Sequence, residues 1–459
     1  MRRIDLTQGP VLGNLVRLSV PIAVSMIVFT LYLLADLYFV ARLGPDAVAA
    51  ISISINAFFV YLGIATTLGS GALVLIAQAA GRGRPEEAGQ IFRQTLIMGL
   101  WAGIALSSVS VALAEPYIRF FGASGRALQW GVEYFQLFSV SFVFLLLIYV
   151  IGSALRGMGD TRTPMVILFQ SNLLNIGLDP VLIYGWLGFP AMGVRGAALA
   201  SLLSQVYALL IYAYVILIRR RAFHIRKSWR LEAAVVRRSL TIGLPSGLNH
   251  FFLAVNLLVT YRVISSFGTA ALAALGVGLR LLQGIYLPVI ALVSAAAACT
   301  GQNYGAGSYP RVAQTLRSTW ILSSAFMLLA TLVCRLFPAQ LISIFSRDPE
   351  VVRYGATYIS VISIGNFIMG TIMTAAAVFQ GLGKTYPKLV GAAVDNIVFA
   401  ALVLTLPGIY GWGIQAVWWL KLVSLAAELL LIGLWLRREM QSIRGRMPCA
   451  GEPARAPVA

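Results

Sequence analysis

Arg156 to Thr161 reads RGMGDT, and 224 positions later Gln380 to Thr385 reads QGLGKT. The same offset carries Pro21 onto Pro245, Gly44 onto Gly268, Gln78 onto Gln302, Arg93 onto Arg317, Tyr134 onto Tyr358 and Gly159 onto Gly383, without a gap. A constant offset over so long a stretch means that the chain is two copies of one structural unit. The copies part where charge would sit: Asp36 faces Thr260, Asn175 faces Phe399 and Asp179 faces Val403. The scaffold repeats and the acids do not.

Of the 459 residues, 59% are hydrophobic and only 11% charged, and the mean hydropathy is +0.84. So little polar surface cannot cover a soluble globule of this length, which places the chain in a bilayer. A spanning helix needs about 20 mostly apolar residues. Such stretches centre near Ile27, Ala65, Ile104, Phe144, Asn172 and Tyr207, and again near Val255, Val289, Ser323, Phe367, Val398 and Glu428. The first runs from near Val11 to Val40, long enough to read as a first transmembrane helix and not as a cleavable leader. The expected fold is an all-α membrane protein of twelve transmembrane helices. An even number per copy makes both copies enter from the same side, as parallel six-helix repeats around a central cavity. The expected segments are a first lobe over 1–218, a basic cytoplasmic linker over 219–238, a second lobe over 239–437 and a disordered cytoplasmic tail over 438–459.

A formal net charge of +19 raises nucleic acid as a partner, and the location of the charge argues against it. With a cytoplasmic N-terminus, the inner segments hold about three times as many Lys and Arg as the outer ones, the asymmetry that keeps both termini inside a cell membrane. The cluster from Arg219 to Arg238 then reads as a topology signal, a lipid head-group contact and a solvated tether. No aromatic residues alternate with basic ones on a soluble module. Cys299, Cys334 and Cys449 imply no disulfide framework. His224 and His250 form no metal-ligand spacing with acids or thiols, so an enzyme is not expected. The glycine turns QAAGRG (78–83) and QNYGAG (302–307) lack P-loop spacing and a preceding strand, and serve to pass the chain from helix to helix.

Four acids fall well inside expected spans: Asp36, Asp179, Asp395 and Glu428. A carboxylate at the bilayer centre costs ~3 kcal/mol or more, so each must face the interior, find a partner or bind protons. Counting ~1.5 Å per residue from the inner helix ends puts Asp36 and Asp179 together in the outer half of the membrane. Tyr32 precedes Asp36 by one turn and Asn175 precedes Asp179 by one turn, giving each acid a polar neighbour on its own face. Pro180 removes a backbone donor and frees a carbonyl near Ile176. Two carboxylates in a poorly hydrated pocket cannot both ionise cheaply, so the pair suits a proton, or sodium at Asp36, Asn175 and Asp179. Pro21, below Asp36 on the same helix, and Pro180 are candidate hinges, although Pro245 repeats Pro21 with no acid above it. In the second copy, Arg280, Asp395, Lys421, Glu428 and His250 suggest a polar network, read first as internal salt bridging.

On these residues the chain resembles the multidrug and toxic compound extrusion (MATE) family over about Val11 to Leu436. The resemblance rests on the six-plus-six repeat, Pro21 followed by Asp36, the two glycine turns at 156–161 and 380–385, and NIGLDP (175–180) followed by GVRGAALAS (193–201). It is similar to the DinF-like branch, whose first lobe uses the residues matched here by Tyr32, Asp36, Tyr134, Asn175 and Asp179. Ser201 stands where relatives often carry Thr and keeps the hydroxyl. The NorM-like branch has acids in helices 7 and 10, and neither Phe251 to Leu258 nor Gly365 to Thr374 holds one. The resemblance implies export of small organic, often cationic, compounds driven by H+ or Na+, by rocking of two lobes. It implies no further cofactor and a working monomer. A lipid-linked oligosaccharide flippase shares the architecture and is the alternative; its pyrophosphate substrate calls for a cationic pocket lined by residues such as Arg280 and Lys421.

Overall fold

The computed structural model describes residues 4–219, 223, 230–410 and 413–445. Twelve helices among them are long and apolar enough to span a membrane. The first six are α1 (Val11–Ala41), α2 (Pro45–Gly81), α3 (Pro85–Ala112), α4 (Gly125–Gly157), α5 (Arg162–Tyr184) and α6 (Val194–Ile218). The second six are α7 (Ala233–Phe267), α8 (Thr269–Gly305), α9 (Tyr309–Leu336), α10 (Pro349–Leu382), α11 (Tyr386–Leu406) and α12 (Ile414–Arg444). Every centre marked in the sequence falls inside one of them. Backbone hydrogen bonds in such a helix are internal, which is why apolar runs with no water to bond to take this form.

The RGMGDT turn shows the repeat in three dimensions. A Cβ added to Gly157 would lie 2.6 Å from the Leu73 carbonyl oxygen, and one added to Gly381 would lie 2.6 Å from that of Ala297. Leu73 and Ala297 are themselves repeat partners, so both glycines exist to let α4 touch α2 and α10 touch α8. Two residues on, Gly159 and Gly383 end their helices at φ 80° and 79°, a left-handed conformation that favours glycine.

The chain divides into two compact units, residues 1–5 with 21–247, and residues 6–20 with 248–459. This is not a division at the linker: α1 as far as Val20 packs with the second unit, and α7 as far as Gly247 with the first. Side chains explain both. Within the second unit, the Leu6 N–H donates to Gln302 Oε1 at 3.2 Å and the Leu6 carbonyl accepts from Asn303 Nδ2 at 3.1 Å. The Arg311 guanidinium also donates to the carbonyls of Leu6, Gln8 and Gly9 at 3.2, 3.2 and 3.0 Å. Within the first unit, the Glu232 carboxylate accepts from Arg93 at 3.1 Å and from Gln90, while Gln94 donates to the Arg230 carbonyl at 2.9 Å.

A stripe of small residues completes the second attachment. Ser239, Gly243 and Gly247 of α7, one turn apart, meet Gly71, Thr67 and Gly63 of α2; small residues at this spacing let membrane helices approach closely. A Cβ on Gly243 would lie 1.8 Å from the Thr67 carbonyl oxygen. Gly243→Ala is therefore expected to destabilise the protein by roughly 3 kcal/mol, the upper end of overpacking costs. Thermal unfolding of the purified variant checks this, and an unchanged midpoint would mean that the helices can part freely.

Two sequence expectations are corrected. The described part of the linker is held: Phe223 is buried and stacks on Phe92 with ring centroids 4.1 Å apart, and Arg230 and Glu232 bond as above. An aromatic ring and a bonded carboxylate gain more on the protein than in water. Residues 220–222 and 224–229 lie outside the described residues. The tail is not disordered from 438: α12 continues to Arg444 because Ile443 is buried against Val312, Val378 and Leu382 and Glu439 pairs with Lys384 at 2.8 Å. Residues 446–459 lie outside the described residues.

Candidate functional site

Helix periodicity builds the pocket in the first unit. On α5, Ser171, Asn175 and Asp179 recur every fourth residue and all three are buried, so one face of an otherwise apolar helix is a polar stripe. On α6, Ser201 and Ser204 face it, also buried, and Ser171 Oγ donates to the Ser204 carbonyl at 2.7 Å. α1 adds Tyr32 and Asp36, four residues apart. α4 adds Tyr134, buried and stacked on Phe138. Pro180 lies within α5 just above Asp179, and the helix stops at Gly185 in the left-handed conformation, φ 77°.

The polar side chains are linked in series. Tyr32 Oη and Ser201 Oγ are 3.2 Å apart. The Asn175 amide is satisfied with its nitrogen donating to Asp179 Oδ2 at 3.2 Å and its oxygen accepting from the Ser201 N–H at 3.1 Å. The relay Tyr32, Ser201, Asn175 thus ends on the carboxylate of Asp179. The amide geometry is set by these partners. Each donor in the relay has an acceptor, and the free capacity collects at the acids.

Asp179 is 0% exposed and Asp36 8%. Asp179 Oδ1 and Asp36 Oδ1 are both buried and have no hydrogen-bond partner. Asp36, Asp179, Tyr32 and Tyr134 lie within range of one another's charge. A buried carboxylate oxygen with nothing to accept from costs on the order of 1–3 kcal/mol, more when charged, and that cost falls away when a proton or cation arrives. All six residues singled out in the first copy, Tyr32, Asp36, Tyr134, Asn175, Asp179 and Ser201, belong to this one pocket. Pro21 marks the boundary between the units on α1, which runs through it as an unbroken helix.

The second-copy residues do not form one network. Lys421 Nζ donates to both oxygens of Asp395, at 2.9 and 2.7 Å, Ser424 Oγ donates to Asp395 Oδ1 at 2.7 Å, and the ammonium sits 5.0 Å from the centre of the Phe399 ring. Glu428 is held instead by Lys388, at 2.5 Å, a partner that the sequence reading passed over because it lies at the inner end of α11. Arg280 is exposed and makes no ion pair among the described residues. His250 is half-buried and has no hydrogen bond among them, so it is not a hydrogen-bonded core strut there. The described residues contain no group of three or more His, Cys, Asp or Glu placed to hold a metal.

The MatE family model matches residues 21–181 and 245–406, two segments that begin 224 positions apart. A probable multidrug resistance protein, NorM, of Thermotoga maritima is 28% identical over 383 residues, 82% of this chain and 81% of that one. The FAD transporter of Shewanella oneidensis is 28% identical over 440 residues, 94% of this chain and 95% of that one. Among solved structures, a MOP superfamily transporter from Pyrococcus furiosus superposes with a TM-score of 0.89 at 24% identity, covering 97% of this chain and 99% of its own. A crystal structure of MATE in the bent conformation gives 0.88 at 25% identity, over the same shares of each chain.

Proposed function

This chain belongs to the MatE family of multi-pass membrane transporters, and from that premise we propose that it exports small organic compounds across the cell membrane in exchange for protons, as a DinF-like multidrug antiporter. The observation that carries the reading is the pair of buried, unpartnered carboxylate oxygens of Asp36 and Asp179 in the first unit. The multidrug resistance description of the Thermotoga relative agrees with it. The positive-inside asymmetry of the sequence supports a cytoplasmic position for both termini.

The proton is favoured over sodium by the relay. A hard cation takes oxygen ligands, and here the Asn175 amide turns its nitrogen to Asp179 and its oxygen to Ser201. A proton on either acid leaves that amide as it stands. A proton crossing ~100 mV supplies ~2.3 kcal/mol, and one pH unit supplies ~1.4 kcal/mol more. Export of a monovalent cation cancels the electrical part, so two acids that load together serve a cationic substrate better than one.

The flippase alternative is less well supported. Its anionic substrate needs free cations, and Lys421 is chelated by Asp395. The test is uptake of a fluorescent organic cation such as ethidium in proteoliposomes of the full chain. A pH gradient without sodium is expected to drive it; drive by a sodium gradient alone would overturn proton coupling.

A further inference from the structure

The two units leave different atoms unpaired. In the first, the orphans at the ion pocket are carboxylate oxygens. In the second, around Tyr358, the repeat partner of Tyr134, they are nitrogens with hydrogens to give: Asn366 Nδ2 and Trp418 Nε1 are buried and have no acceptor. Asn366 is 0% exposed and Trp418 3%.

Neighbours bring these groups to one place. Tyr286 of α8 donates to Asn366 Oδ1 at 3.0 Å, which leaves the amide nitrogen unused. The Tyr358 ring meets the Trp418 indole edge to face, with centroids 4.6 Å apart, and Tyr286 and Tyr358 lie within range of each other's charge. Gly365 lies against Leu422, one turn beyond Trp418: a Cβ there would be 2.6 Å from the Leu422 side chain. α10 also tightens into a short 3-10 turn over Ser363–Gly365, directly before Asn366. Such a turn inside a span often marks a functional position, and the corresponding stretch of α4 is regular helix.

We propose that Asn366 and Trp418, framed by Tyr286 and Tyr358, form a receptor in the second unit for an oxygen acceptor, a carboxyl or carbonyl group, on the transported compound. The chemistry follows from the unpaired groups: two buried N–H donors without an acceptor select oxygen and give nothing to a cation. The first unit then takes the coupling ion while the second reads a polar group of the cargo. This inference rests on the export reading above.

The test is calorimetric binding to the purified full chain of three matched probes: tetraphenylphosphonium, (4-carboxybutyl)triphenylphosphonium and the methyl ester of the latter. Trp418→Phe keeps an aromatic ring against Tyr358 and removes the N–H together with the five-membered ring that carries it. It is expected to weaken the carboxyl probe about tenfold, the effect of one lost hydrogen bond to a charged acceptor, and to leave tetraphenylphosphonium unchanged. Asn366→Leu is expected to do the same. Loss with the acid alone identifies carboxylate, and loss with acid and ester identifies any carbonyl oxygen. If Trp418→Phe leaves every probe at its wild-type affinity, the N–H groups serve a buried water and the proposal is overturned. If no probe binds the wild-type chain, the export reading falls and takes this one with it.

Discussion

Asp36→Asn is expected to abolish gradient-driven export while the protein inserts, folds and melts at or above the wild-type temperature. Asparagine keeps the shape of the side chain and removes the charge that a proton would have neutralised. Because Asp36 Oδ1 has no hydrogen-bond partner, nothing in the fold is lost with it, and an unsatisfied buried group is relieved. The transport consequence is large. With both the voltage and the pH terms available, a coupled proton can sustain a gradient of a neutral compound of several hundredfold. Without coupling the gradient is one. Accumulation in proteoliposomes under an imposed pH gradient, with melting measured on the same preparation, reads both. Wild-type accumulation by Asp36→Asn would remove the acid pair from the mechanism; a variant that fails to fold would show that Asp36 is a strut.

The second large effect concerns Asp395 and Lys421, whose side chains are 10% and 19% exposed. Asp395→Leu leaves the Lys421 ammonium without its counter-charge in apolar surroundings, at a cost of roughly 3–5 kcal/mol. The double variant Asp395→Leu with Lys421→Met removes both charges at similar volume and is expected to be near neutral, or more stable than wild type. A double-mutant cycle on thermal unfolding in detergent measures the difference. The double variant should also retain proton-driven export, because Asp395 stands at the repeat position of Ser171, a hydrogen-bonded support, and not at that of Asp179. Loss of export by a stable double variant would make the pair a second ion site.

The repeat, the spans and the polar residues of the first pocket were legible because each is a local or periodic property of the chain. Asp36 and Asp179 could be brought together by counting helical rise, whereas Tyr134 and Ser201 entered through the family resemblance. What sequence could not supply was partnership across helices. Glu428 pairs with Lys388 and not with Lys421, since the choice depends on how α11 and α12 are rotated, which no spacing within either one sets. Arg280 and His250 share a charged or titratable character with them, and among the described residues neither joins the two ion pairs. The Ser239, Gly243 and Gly247 stripe was visible as letters, but only the carbonyl of Thr67 gives it meaning. The attachment of the lead-in to α1 depends on Arg311, some three hundred residues away.

That attachment bears on ancestry. Each half carries at its own beginning the piece that completes the other, so a six-helix forebear encoded by a single unduplicated gene would have been whole only as a pair of molecules with exchanged arms. Fusing two such genes then required no invention of a contact. The connecting peptide merely made permanent a trade that two separate molecules had already made.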